Sequence, residues 1–344
     1  MKSLTILLAV LGLALITFCM AWLGVGSVLK AVLSIGAVGF VAIVAAQLAV
    51  DATLGVAWHV ACPRIALPHL IVARMVRDAA ATCLPFSQLG GILIGIRATG
   101  AEASPRRHAI EWPEAASANI VDLTTEVLGQ IVFVLLALAC LVMHQQHSPF
   151  ARPVLIGTLL LGAGIGGFIW TQRQGGTLLK RLARGLSRNI TAQWRSAMLA
   201  GADTLQQRLD AVWSNPGRIA GAALMHLVAW IGSAGAVWVA FHFLGAHLGL
   251  PGVIAIEGVA CGIMSVSFLV PAGLGVQEAA YIALGSAFGI DPSVALGLSL
   301  LRRGRDLAIG IPVLLLWQGA EMRRLRRRDA APARDAGAQK GVRP

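Results

Sequence analysis

Apolar residues run along this chain in long blocks rather than alternating with polar ones. Six blocks can cross roughly 30 Å of hydrocarbon at about 1.5 Å per residue: 4–23, 32–59, 116–143, 154–170, 219–243 and 293–317. Two further apolar regions, 70–96 and 251–289, are interrupted by Pro and Gly. Breaks at membrane depth are tolerated only where the backbone is buried in protein or lines a cavity. Each broken region therefore predicts a hairpin that enters and leaves on one side, built either as half-helices or as a helix pair. The first block follows Lys2 and could open a signal peptide, but its apolar length is that of a spanning helix. It is read as a retained transmembrane helix. The predicted fold is an all-α polytopic membrane protein with about six transmembrane helices and two broken hairpins.

Composition sets the same class independently. The 344 residues are 57% hydrophobic and 13% charged, with mean hydropathy +0.75; soluble domains carry about 25% charged residues. The net charge of +12 could suggest nucleic acid, but the basic residues sit between the apolar blocks and at the end, where a membrane protein keeps its cytoplasmic charge. With a cytoplasmic N-terminus, only Lys30 and Arg152 fall outside and three arginines fall within the last block. The rest of the 28 Lys and Arg are cytoplasmic. This predicts both termini inside, in a bacterial inner membrane. The chain divides into a transmembrane domain over 1–320 and a basic tail over 321–344, whose Ala/Pro/Arg/Gly composition past Asp329 reads as disordered. Within the cytoplasmic loop 172–217, Leu178, Leu182, Leu186, Ile190, Trp194 and Met198 recur every four residues, with Lys180, Arg181, Arg184, Arg188 and Arg195 off that stripe. Such a helix either lies on an anionic leaflet or packs on the protein as a connector.

The two broken regions resemble each other. TCLPFSQLGGILIGIRATG begins at Thr82 and SFLVPAGLGVQEAAYIALGSAFG at Ser267. Each places Leu-Gly (Leu89-Gly90, Leu274-Gly275) shortly after a proline, Pro85 or Pro271. Three spans separate them, so they enter from opposite faces, the arrangement of an inverted repeat around a midplane site.

Charges inside apolar blocks are costly unless paired or hydrated, which makes them the candidate site. Asp122 and Glu126 share a face of the third block. Arg302, Arg305 and Asp306 share a face of the last, and Arg303 points elsewhere, to snorkel or to pair with a neighbouring helix. Glu278 follows the second Pro-Gly break, and Asp51 lies in the second block. These groups serve as internal glue, as a hydrated path, or as both. Other signals carry nothing. Gly162, Gly164 and Gly167 spell GxGxxG within an apolar block and read as helix-packing glycines. The five cysteines form no CxxC pair, and His59, His226 and His242 have no metal-ligand spacing. No metal or other cofactor is expected, and no nucleotide-binding loop is present in the sequence.

The stretch from Phe268 to Gln318 resembles the membrane region of the lysylphosphatidylglycerol synthase or flippase-like superfamily, through the P-x-G-L-G-x-x-E core formed by Pro271, Gly273, Leu274, Gly275 and Glu278. The likeness covers about 1–320, and LLRRGRD looks closest to the hopanoid-biosynthesis-associated subgroup. The first broken region departs from the core: it lacks the Gly-containing spacer and an acid matching Glu278. The resemblance implies lipid translocation or transport. A cytoplasmic transferase domain follows the membrane region in the synthase, and here only the basic tail follows, so no enzyme activity is expected. Pro85, Gly90, Asp122, Glu126, Pro271, Gly273, Gly275, Glu278, Arg302, Arg305 and Asp306 would line the substrate path, with a headgroup near Glu278, Arg302 and Arg305. Expected partners are membrane lipids and, for a non-transporting alternative, lipid-biosynthetic enzymes gathered on a scaffold. A carrier for a small soluble solute is the third reading; nucleic acid is not expected.

Overall fold

A computed structural model describes residues 33–83, 87–100, 110–144, 151–173, 204, 207–266, 270 and 273–340. The block over 4–23, the amphipathic stripe of the 172–217 loop, Pro85 and Pro271 lie outside them. The described residues form helices joined by short turns, with no strand among them. In chain order the helices are α1 (Gly36–Ala61), α2 (Leu67–Cys83), α3 (Ser87–Gly100), α4 (Trp112–His144), α5 (Ala151–Arg173), α6 (Pro216–Phe243), α7 (Leu250–Val266), α8 (Val276–Ala287) and α9 (Pro292–Lys340). Among them α1, α4 and α6 are long and apolar enough to cross a membrane. Large apolar side chains such as Val38, Leu160 and Leu316 face outward while Arg74, Asp122 and Arg305 are buried. An apolar exterior around an ionic interior is the reverse of a soluble domain, and the chain is a multi-pass membrane protein.

The broken regions form two helix pairs, α2–α3 and α7–α8. Their arms hold 17, 14, 17 and 12 residues, about 18–26 Å of rise at 1.5 Å per residue. Each arm is shorter than the hydrocarbon layer, a length suited to half-helices. The arms of the first pair meet at Gly91, where a Cβ would lie 2.8 Å from Ala81 Cβ and 2.9 Å from the Arg77 carbonyl oxygen. Gly90, the predicted motif glycine, sits beside this close approach, part-buried.

The packing partners repeat. Helix α1 lies along α6, α2 packs on α9, and α7 packs on α4. Exchanging α1 with α6, α2 with α7, α3 with α8 and α4 with α9 reproduces the same set of contacts, leaving α5 as an addition. Glycines fix the direction of the α1–α6 pair: Gly39 faces Phe243, Val50 faces Gly232 and Val60 faces Gly221, so the two helices are antiparallel. Two units related by reversal is the inverted repeat that the paired proline breaks predict.

Helix α9 is described as far as Lys340. One expectation is corrected, the reading of the 162–167 glycines as helix-packing positions. Among the described residues, Gly164 and Gly167 have open space where a Cβ would go, and Gly162 touches only Ile131, at 3.8 Å. Glycine does pack helices elsewhere, as at Gly258 on α7, where a Cβ would sit 2.3 Å from Ala137 Cβ of α4. Gly258→Val should lower stability by about 1–3 kcal/mol through overpacking, whereas Gly164→Ala should leave the melting temperature in detergent unchanged or slightly raised.

Candidate functional site

Each of the four long helices carries a polar stretch between two apolar ones. One apolar cluster joins Ile43 of α1, Phe133 of α4, Val237 of α6 and Leu298 of α9. Trp58, Ala118 and Leu314, further along α1, α4 and α9, belong to a second cluster, and Ala222 of α6 to a third. Between them lie Asp51, Asp122 with Glu126, His226 with Ser233, and Arg302 to Asp306. The result is a single ionic layer across the middle of the bundle.

Half of the layer is organised by α2. Arg74 Nη1 donates to Asp122 Oδ2 at 3.0 Å, Nη2 to Glu126 Oε1 at 2.6 Å, and Nε to Asp78 Oδ2 at 2.7 Å. Arg77, one turn on, reaches the same two α4 carboxylates at 2.7 and 3.0 Å, and its guanidinium lies 5.5 Å above the Trp58 ring. His226 Nε2 approaches Asp122 Oδ1 at 3.2 Å. Arg74 and Arg77 are 3% and 5% exposed, so they are core residues and leave the tally of cytoplasmic charge. Their three-residue spacing in an apolar arm was the signal that could have revealed them.

The other half is organised by α9. Arg302 Nη1 donates to Glu257 Oε2 of α7 and to the Tyr281 hydroxyl, both at 2.6 Å; Tyr281 in turn donates to Glu257, and Ser233 donates to its other oxygen at 2.9 Å. Glu257 is the only acid or base in the α7 sequence LPGVIAIEGVACGIMSV, a signal that reading this region as broken obscured.

The two halves match with the charges exchanged. Arg74 lies seven residues after Leu67, the start of α2, and Glu257 seven after Leu250, the start of α7. Their partners Asp122 and Arg302 each lie ten residues into α4 and α9, counted from Trp112 and Pro292. A cation on the first hairpin meets an acid on the long helix; an acid on the second meets a cation.

Glu278 does not join this centre. It is fully buried, accepts the Gly275 amide at 2.8 Å, and takes Arg303 at 2.7 and 3.0 Å. Gly273 and Gly275 have φ of +59° and +79°, conformations that side-chain-bearing residues rarely adopt. The glycines and the acid of the P-x-G-L-G-x-x-E core thus build the turn and cap α8. The expected grouping of Glu278 with Arg302 and Arg305 is corrected: the carboxylate that meets Arg302 is Glu257, and Arg303 pairs with the neighbouring helix.

A cavity of about 220 Å³ opens in the ionic layer. Asp51 of α1 lines it, with Arg74 and Asp78 of α2, Glu126 of α4 and Ser233 of α6. From α9 come Arg302, Arg305 and Asp306. Arg305 is buried and donates to Asp306 at 2.7 and 2.9 Å. The Asp78 and Asp306 side chains are 38% and 32% exposed and mark where the cavity reaches the surface. Of the predicted path residues, Glu126, Arg302, Arg305 and Asp306 line it. Asp122 stands behind Arg74, and Gly273, Gly275 and Glu278 stand outside.

The family model described as "Lysylphosphatidylglycerol synthase TM region" matches residues 9–313. The chain belongs to this family. Comparison with the curated proteins and with the solved structures gives no match.

Breaking a buried ion pair on one side leaves the other charge uncompensated, at a cost of about 3–5 kcal/mol. Arg302→Met should therefore lower the melting temperature strongly in detergent. The double variant Arg302→Met with Glu257→Gln should recover most of the loss.

Proposed function

We propose that this protein moves a polar-headed lipid between the leaflets of the bacterial inner membrane, with both termini cytoplasmic. The observation that carries the reading is the charged midplane cavity enclosed by two oppositely oriented repeats in an otherwise apolar bundle. A bulk water occupies about 30 Å³, so 220 Å³ holds a small headgroup and leaves no room for acyl chains. The tails would stay in lipid while the headgroup crosses. Arg302 and Arg305 offer donors to an anionic or hydroxylated head, and Asp306 offers an acceptor beside them. Arg74 and its carboxylates supply the facing wall.

No covalent step belongs to this mechanism. The polar side chains of α2 and α9 lower the barrier by solvating the headgroup as it passes through hydrocarbon. Glu278 acts indirectly, by fixing α8 and holding Arg303. A hopanoid with a polar head is the finer substrate candidate, on the strength of the LLRRGRD resemblance.

The test is leaflet exchange of a fluorescent phospholipid in liposomes containing the full chain. Wild-type protein should exceed empty liposomes, and Arg305→Ala should slow exchange by about tenfold, equal to about 1.4 kcal/mol, while retaining a monodisperse fold. Exchange no faster than in empty liposomes would refute translocation. It would leave the scaffold and the soluble-solute carrier, which solute uptake into the same liposomes separates.

A further inference from the structure

We propose that Asp51 is a proton-binding site and that the coupling ion of this protein is the proton, an inference that deepens the translocation reading and rests on it for its transport consequence. Four carboxylates among the described residues are buried: Asp51, Asp122, Glu257 and Glu278. Three of them have an arginine within hydrogen-bonding distance: Asp122 has Arg74, Glu257 has Arg302 and Glu278 has Arg303. Asp51 has none. It is 7% exposed, and one oxygen accepts from Gln47 Nε2 at 2.8 Å, one turn earlier on α1. Its other oxygen has no hydrogen-bond partner among the described residues, and its side chain lines the cavity.

An unpaired carboxylate at this depth is costly unless something neutralises it, and a proton does so without needing space. The surroundings from every packed helix favour that outcome. Helix α2 presents Asp78 and Arg74, and Arg74 is already shared among Asp78, Asp122 and Glu126. Helix α4 presents Glu126, a further acid. Helix α6 presents neutral Ser233 and Trp230, and His226 is turned toward Asp122. Helix α9 presents Arg302, held by Glu257, and Arg305, held by Asp306. Among the described residues every arginine here is already held by another acid, so Asp51 has no cation of its own.

Protonation and release are simple to balance. The Asp51 carboxyl loses its proton to a cavity water, which becomes hydronium and passes it to bulk through the exposed edge at Asp78 and Asp306. The carboxylate left behind then competes with Asp306 for Arg305. Moving Arg305 would change both the headgroup site and the packing of α9 on α1, which links the proton to the conformation.

The experiment uses the full chain in phosphatidylethanolamine/phosphatidylglycerol liposomes. Infrared difference spectra near neutral pH should contain a protonated-carboxyl C=O band that is lost in Asp51→Asn, an isosteric neutral replacement. The band should persist in Asp291→Asn, because Asp291 lies in the α8–α9 turn, where hydrogen bonds from Ser293 hold its carboxyl below the usual range and keep it ionised. A missing band in the wild type, or one unchanged in Asp51→Asn, overturns the assignment. In the transport arm, a pH gradient should change wild-type phospholipid exchange several-fold and leave Asp51→Asn exchange flat. Wild-type exchange indifferent to the gradient overturns proton coupling. Absence of any wild-type exchange removes the translocation reading and the coupling together, and the infrared result still decides whether Asp51 holds a proton.

Discussion

The two buried arginines of α2, Arg74 and Arg77, tie together the first half of the structure through shared carboxylates. A guanidinium in the middle of a hydrocarbon-embedded bundle must bring its counter-charges with it, and Arg74 gathers three: Asp78 from its own helix and Asp122 and Glu126 from α4. Helices α2 and α4 are joined through these long side chains. The cavity opens beside this bridge, among α1, α2, α6 and α9, with Glu126 alone reaching it from α4.

The second repeat reaches the same geometry with exchanged chemistry. Glu257 on the hairpin and Arg302 on the long helix stand where Arg74 and Asp122 stand in the first repeat, and both halves use direct packing of a hairpin arm on the other repeat's long helix. The interlock makes each repeat incomplete alone: α2 needs α9 to cover it, and α7 needs α4. Close glycine contacts such as Gly258 against Ala137 let these helices approach without a hydrophobic driving force between them, which lipid cannot supply.

Much of this was legible in the residues. The apolar blocks over 32–59, 116–143 and 219–243 became α1, α4 and α6 with ends shifted by a few residues, because length and apolarity alone decide a spanning helix. Asp122, Glu126, Arg302, Arg305 and Asp306 were marked by the cost of charge in an apolar block. Pairings were less legible. Arg303 and Glu257 have suitable partners at several sequence positions, and only the crossing of α7, α8 and α9 selects among them. Arg74 and Arg77 were hidden by their neighbourhood: next to Arg64 and Arg97 they looked like flanking cytoplasmic charge, while α2 carries them into the core. Glu278 was legible as a buried acid after the Pro-Gly break, but not its partners: its carboxylate caps the positive-φ turn at Gly273 and Gly275 and takes Arg303.

The exchanged signs of the two hairpins have an electrical consequence. Opposed movement of α2 and α7 along the bilayer normal carries a cation one way and an anion the other, so the two displacements of charge add where like-signed hairpins would cancel. Each elementary charge moved through 100 mV is worth about 2.3 kcal/mol. A bundle whose repeats are alike in shape, inverted in the membrane and opposite in sign would therefore feel the membrane voltage as a torque between its halves.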